Sequence, residues 1–150
     1  MQRLPLSRSP YSWVALALLT AACADEASPD QQVRAVIESM EVAAEARNVG
    51  DLMEHISANY SDAQGQDRTE ASRYARGYFI ANQSVHLLTR VESLEFPSPD
   101  EARVKLQVGM AGRGGEPGAA SLNADLYDFD LALVLEGGEW KVSHADWRAH

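Results

Sequence analysis

Two strand-like runs joined at Glu136-Gly137-Gly138-Glu139 constrain this chain more than any other stretch. In the first, Tyr127, Phe129, Leu131, Leu133 and Leu135 alternate with Asp128, Asp130, Ala132 and Val134. A period of two marks a strand with one buried face. In the second, Trp140, Val142 and His144 share a face while Lys141 and Ser143 point the other way. A hairpin from Leu122 to Trp147 cannot stand alone in water, so it demands more strands and a covering layer.

The chain upstream supplies both. Ser28-Pro29-Asp30-Gln31 reads as a helix start, with Ser28 as N-cap, Pro29 at the first helical position and Gln31 closing a capping box. Val33, Val36, Ile37, Met40, Ala43 and Ala44 continue an apolar stripe at helical spacing, which Asn48-Val49-Gly50 ends. A short second helix, capped by Asp51, carries Leu52, Met53 and Ile56. Thr69 reads as the cap of a third, with Tyr74, Tyr78 and Phe79 on its buried side. Gly77 inside that helix implies either a close approach to a sheet or a kink. Val85 to Phe96 forms a first long strand. Ala102, Val104, Leu106, Val108 and Met110 alternate with Arg103, Lys105 and Gln107 in a second, one-sided one. The connection Gly112 to Ala120 is rich in glycine, but it precedes a strand and lacks a following Lys-Ser or Lys-Thr, so it is no phosphate loop. It reads as disordered, with a lid as the alternative. Helices first and antiparallel strands after make an α+β fold, a curved antiparallel sheet wrapped around N-terminal helices.

With 150 residues there is room for one domain, and the first residues fall outside it. Arg3 and Arg8 flank an uncharged run from Ser9 to Ala24 whose apolar core is Trp13 to Leu19. That core is shorter than the roughly 20 residues of a bilayer span and fits a secretory signal peptide. Leu19-Thr20-Ala21-Ala22-Cys23 resembles the lipobox of bacterial lipoproteins. The resemblance implies cleavage before Cys23 and lipidation of its thiol, giving a signal peptide over residues 1–22, a lipidated tether over 23–27 and a domain over 28–150. More than one acyl chain anchors a protein stably. Ala24, where the inner-membrane retention signal has Asp, points to the periplasmic side of the outer membrane in the cell envelope. An ordinary signal peptide with Cys23 as a free thiol is the plainer alternative.

Cys23 is the single cysteine, so the domain has no internal disulfide and no thiolate metal site. Removing Arg3 and Arg8 from the 13 basic residues leaves 11 against 22 acidic ones, a net charge of −11. Such a surface does not suit nucleic acid.

The opening helix with Ile37-Glu38-Ser39-Met40 and Ala43-Ala44, the passage Ile56 to Asp62, and the final Asp128–Leu135, Gly138–Val142 and Ala145–Arg148 segments resemble the nuclear transport factor 2-like (SnoaL-like) superfamily. The resemblance implies a cystatin-like cone, a bent sheet around a long N-terminal helix, over nearly all of Ser28 to Arg148. It is almost silent on function, because that scaffold hosts isomerases, dehydratases, epoxide hydrolases and cyclases as well as non-catalytic binding modules.

Within such a cone, Tyr60, Asp62, Tyr78, Tyr127 and His144 are the ligand-pocket candidates. His144, sharing a face with Trp140 and Val142, would be tunable towards acid/base work near neutral pH; a histidine satisfied by one hydrogen bond is the simpler reading. Tyr60 and Asp62 lie one strand step apart on one side. They read either as a donor and a base or as a packed ring and a turn-organising carboxylate. Asp128 and Asp130 belong on the outer sheet face, where Ala132 and Val134 leave room for a partner such as a second copy. Arg90 either neutralises an anionic ligand or pairs with an outer-face acid, Asp128 or Asp130. His55 and His86 match no metal spacing with His144, and neither a metal nor a cofactor is expected. The expectation is an envelope lipoprotein whose cone binds a small apolar ligand or a protein without catalysis. An isomerase, hydratase or cyclase using His144, Tyr60 and Asp62 is the alternative.

Overall fold

The computed structural model describes residues 26–114 and 121–150. The signal segment 1–22, Cys23 and residues 115–120, with the expectations placed on them, lie outside the described residues. The elements run α1 (Pro29–Glu45), α2 (Val49–Glu54), β1 (Ile56–Asp62), α3 (Arg68–Ala81), β2 (Asn82–Ser98), β3 (Glu101–Gly114), β4 (Ser121–Glu136) and β5 (Glu139–Ala149). The five strands form one open, curved sheet in the order β1-β5-β4-β3-β2. β1 runs parallel to β5, and every other neighbour is antiparallel.

Local chemistry accounts for the helix starts. Ser28 Oγ accepts from the Gln31 amide at 3.3 Å while Gln31 Oε1 accepts from the Ser28 amide at 2.9 Å, so two otherwise orphaned donors are satisfied at once. The other two caps differ from the sequence reading. Asn48, expected to end α1, instead caps α2 by accepting from the Asp51 amide, and Arg47 makes the bend in the left-handed region at φ 53°. At α3 the cap is Asp67, not Thr69, because a reciprocal capping box with Glu70 closes there. Ile56 starts β1 rather than ending α2, and β2 runs past both ends of the expected Val85–Phe96 strand. Gly77 has nothing within 4 Å of where a Cβ would sit, so neither a close approach to the sheet nor crowding explains it.

The β4–β5 turn uses Gly137 and Gly138 at φ 60° and 86°, the pair of positive values that lets a two-residue hairpin follow the strand twist. Gly112, expected in the irregular connection, is a buried residue of β3. A Cβ there would lie 2.9 Å from Asn82 Oδ1, so a larger residue would have to displace the Asn82 side chain, whose Nδ2 donates to the Tyr78 carbonyl.

Helices α1 to α3 cover one sheet face. Val33 and Ile37 of α1 meet Val104, Leu133, Trp140 and Val142 in the dry core. Trp140 Nε1 donates to Gln32 Oε1 at 3.2 Å, and the Leu87 amide donates to Glu45 Oε1 at 2.9 Å, fixing α1 at both ends across the sheet. The outer face is ionic: Asp130 lies between Lys105 and Arg148 at 3.9 and 3.7 Å, and Asp128 faces His150 at 2.9 Å. That agrees with the outward assignment of both aspartates. Arg90 pairs with Glu92 at the surface rather than with Asp128 or Asp130, which face Lys105, Arg148 and His150 instead.

Candidate functional site

The core fills only part of the space between helices and sheet. The remainder is a cavity of about 260 Å³. Its walls are Tyr60, Asp62 and Gln66 from β1 and the turn after it, Ala71, Tyr74, Ala75, Tyr78 and Phe79 from α3, and Tyr127, Phe129 and Trp147 from β4 and β5. Val85, Leu87, Met110, Leu52 and Ala44 close the rest. Residues 71, 74, 75, 78 and 79 form the i, i+3, i+4 stripe that a helix turns to one side. The aromatic rings form a connected wall: Phe129 stacks on Trp147 at 6.1 Å between centroids, Tyr127 tilts against Phe129 at 6.2 Å, and Tyr78 meets Phe79 edge-on at 6.3 Å. Tyr74 was expected on the buried side of α3; it lines the cavity yet is 66 % exposed, which puts it at the mouth.

Of the five sequence candidates, four converge here. Tyr60, Asp62, Tyr78 and Tyr127 all line the cavity; His144 does not. The reason is a bulge in β5. Leu133 pairs with Val142 but Ala132 pairs with His144, so β5 spends one extra residue where β4 spends none. Trp140 and Val142 therefore face inward, and so do Ala145 and Trp147, while His144 turns to the outer face. There it is exposed in a depression shared with Glu95, Arg103, Lys105 and Asp130. The same shift brings Trp147 into the wall. A strict period of two cannot reveal a bulge, and the pattern-breaking Ala145 and Trp147 were the only hint.

Asp62 organises the turn after β1. Its Oδ1 accepts from the Gln64 and Gln66 amides at 2.9 and 2.8 Å, and its own amide donates to the Gln66 carbonyl at 3.1 Å. Its residue exposure is only 5 %. Among the described residues Oδ2 makes no hydrogen bond, and neither does the Tyr60 hydroxyl. Among the described residues no fully enclosed side-chain polar atom lacks a partner, and both residues line the cavity, so these two atoms lie open to it. Burial, and then the Asp62 charge beside it, pushes the Tyr60 phenol up to about 12. Tyr60 is thus a hydrogen-bond donor at any physiological pH. Burial also raises the phenols of Tyr78 and Tyr127, with Asp125 adding to both.

Asp125 was not singled out in the sequence. It pairs across the sheet with Met110, which lines the cavity, and lies two residues from Tyr127, so it belongs to the same sheet face at the rim. Among the described residues, no Lys, Arg or His lines the cavity. Among the described residues, no three His, Cys, Asp or Glu side chains are grouped to hold a metal ion.

No protein-family model matches this chain, and no curated protein sequence does. Solved structures do. A candidate scytalone dehydratase from Novosphingobium aromaticivorans superposes with a TM-score of 0.74 at 12 % identity, covering 81 % of this chain and 83 % of its own. A candidate dehydratase of the nuclear transport factor 2-like family from Streptomyces avermitilis gives 0.70 at 13 % identity, over 81 % and 96 %. A ketosteroid isomerase-like protein from Erwinia carotovora gives 0.64 at 10 % identity, over 79 % and 93 %. At such identities the likeness concerns the fold alone. This chain has the nuclear transport factor 2-like, cystatin-like cone fold.

Proposed function

We propose that this protein is an envelope lipoprotein whose cone binds a small, mainly apolar molecule without transforming it. The observation that carries the binding reading is the half-filled cone: a cavity of about 260 Å³, walled by aromatic rings, with polar atoms of Tyr60 and Asp62 that have no partner among the described residues. Pockets of this kind, apolar with a few convergent polar groups, are the usual setting for small ligands. Against catalysis stands the outward position of His144, which leaves the cavity without the imidazole that acid/base work near neutral pH would use.

The anchoring half of the proposal rests on Leu19 to Cys23, and replacing Cys23 with Ser tests it. The variant should move from the membrane fraction to the soluble one; continued sedimentation with membranes would refute a lipid anchor. For the cavity, Trp147 in its wall supplies an optical probe. Small aromatic compounds should quench tryptophan emission saturably and raise the melting temperature. A ligand at a hundred times its Kd adds about 2.7 kcal/mol of stability. No response across a panel of neutral, cationic and anionic aromatics would remove the ligand-binding reading.

A second reading has one observation in its favour: a protonated Tyr60 beside the Asp62 carboxylate in a water-poor space, a donor next to an acceptor. With neighbours named as dehydratases and an isomerase-like protein, it predicts slow turnover of a small hydroxy- or keto-aromatic that Tyr60→Phe and Asp62→Asn both abolish.

A further inference from the structure

The charge balance of the cavity says what class of ligand belongs in it. Asp62 is 5 % exposed and Tyr60 is 8 % exposed; both line the cavity, and among the described residues Asp62 Oδ2 and the Tyr60 hydroxyl have no hydrogen-bond partner. A carboxylate removed from water is strongly disfavoured unless a counter-charge or enough hydrogen bonds replace the lost solvation. Here Oδ1 has two amide donors and Oδ2 has none among the described residues. No ion pair to Asp62 is present among them either.

Among the described residues, the nearby cations are committed elsewhere or face solvent. Arg47 donates to the carbonyls of Phe79 and Asn82 at 3.4 and 3.2 Å, and Arg68 to those of Met53 and Ile56 at 2.7 and 3.1 Å. Arg73 and Arg76 are exposed and lie off the α3 stripe that lines the cavity. A second carboxylate, Asp125, lies on the rim beside Tyr127. The aromatic rings that line the cavity are electron-rich, and such rings attract a desolvated cation and give an anion nothing.

We infer that the cavity selects a small organic cation: an ammonium group held against Asp62 and Tyr60, carried on an aromatic or branched apolar body that fits between Tyr78, Phe129 and Trp147. The ammonium supplies the counter-charge that Oδ2 lacks, and the body occupies the apolar wall. This rests on the binding reading above and narrows it to a ligand class.

The test is a set of probes of one shape and three charges: 2-phenylethylamine, 2-phenylethanol and phenylacetate. Each is titrated at pH 7 against the full chain carrying Cys23→Ser, with tryptophan emission as readout. The amine should bind at least about fivefold more tightly than the alcohol, in the range a desolvated cation over aromatic faces provides, and phenylacetate should bind more weakly than both. Asparagine at position 62 keeps an oxygen for the two turn amides but removes the charge. Asp62→Asn should therefore bring the amine to the alcohol's affinity. A smaller amine preference in the parent chain, or a preference that persists in a folded Asp62→Asn variant, overturns the proposal. If the alcohol binds as well as the amine, the cavity reading survives and the cation reading falls; if no probe binds, both fall. The parent-chain comparison needs no variant and decides the matter even where Asp62→Asn unfolds.

Discussion

Tyr60 makes a pH-dependent contribution whose sign follows from its environment. Its phenol is raised to about 12, first by burial and then by the Asp62 charge, against an ordinary value of 10.0. Between those two values the unfolded chain releases the proton while the folded one keeps it. Folding stability is therefore complete below pH 10 and declines as pH rises towards 12. Tyr78 and Tyr127, raised in the same direction, add to that decline. Tyr60→Phe should make stability fall less steeply across this window in urea titrations at stepped pH. An unchanged slope would mean that Tyr60 ionises as freely folded as unfolded. His144 gives the opposite kind of prediction. Its imidazole stands exposed on the outer face, so His144→Ala should leave cavity binding unaltered and shift stability by no more than about 0.5 kcal/mol, as surface changes do. A loss of binding would contradict the bulge that turns it outward.

At the level of elements, α3 carries two checks. Its start is a capping box between Asp67 and Glu70, so Asp67→Ala should cost about 1 kcal/mol, whereas Thr69→Ala, two residues after the cap and exposed, should be neutral or gain a few tenths. Equal costs would mean that the box contributes nothing. Gly77, exposed and with open space around it, should accept alanine with a gain of about 0.4–1 kcal/mol through the unfolded chain's lost freedom. The same helix shows what a sequence can and cannot display. The lining stripe from Ala71 to Phe79, the hairpin alternation and the Tyr60–Asp62 strand step are periodic patterns, and periodicity survives in a string of letters; they placed Tyr60, Asp62, Tyr78 and Tyr127 correctly. Caps at Asn48 and Asp67 were misplaced by two or three residues, because several polar residues in each stretch are competent and only geometry chooses among them. His144 was misplaced because a bulge changes parity without changing composition. Asp125 and Gln66 were missed because what makes them relevant is a neighbour across the sheet or across a turn.

Across the whole molecule, the cone is divided between a packed half and a hollow half, and the division can be measured. Ala102 and Ala145 are buried among Val104, Leu133 and Trp140, at 1 % and 6 % exposure. Ala75 has equally little side chain but faces the cavity from α3. Enlarging all three to leucine asks the two halves the same question. In the packed half the added methyl groups have no space, and overpacking should cost about 1–3 kcal/mol. In the hollow half they enter open apolar volume, so Ala75→Leu should hold or raise the melting temperature while lowering affinity for every cavity ligand, cationic or neutral. The contrast separates a cavity kept open for an occupant from slack left by a poorly filled core. Slack would make filling purely beneficial, with no affinity to lose. A preserved space would reveal itself as stability gained at the expense of binding, the trade expected where a fold holds volume in reserve for a ligand. Destabilisation of Ala75→Leu to the same degree as Ala102→Leu would show that the hollow half is packed in solution, and the ligand reading would lose its structural basis.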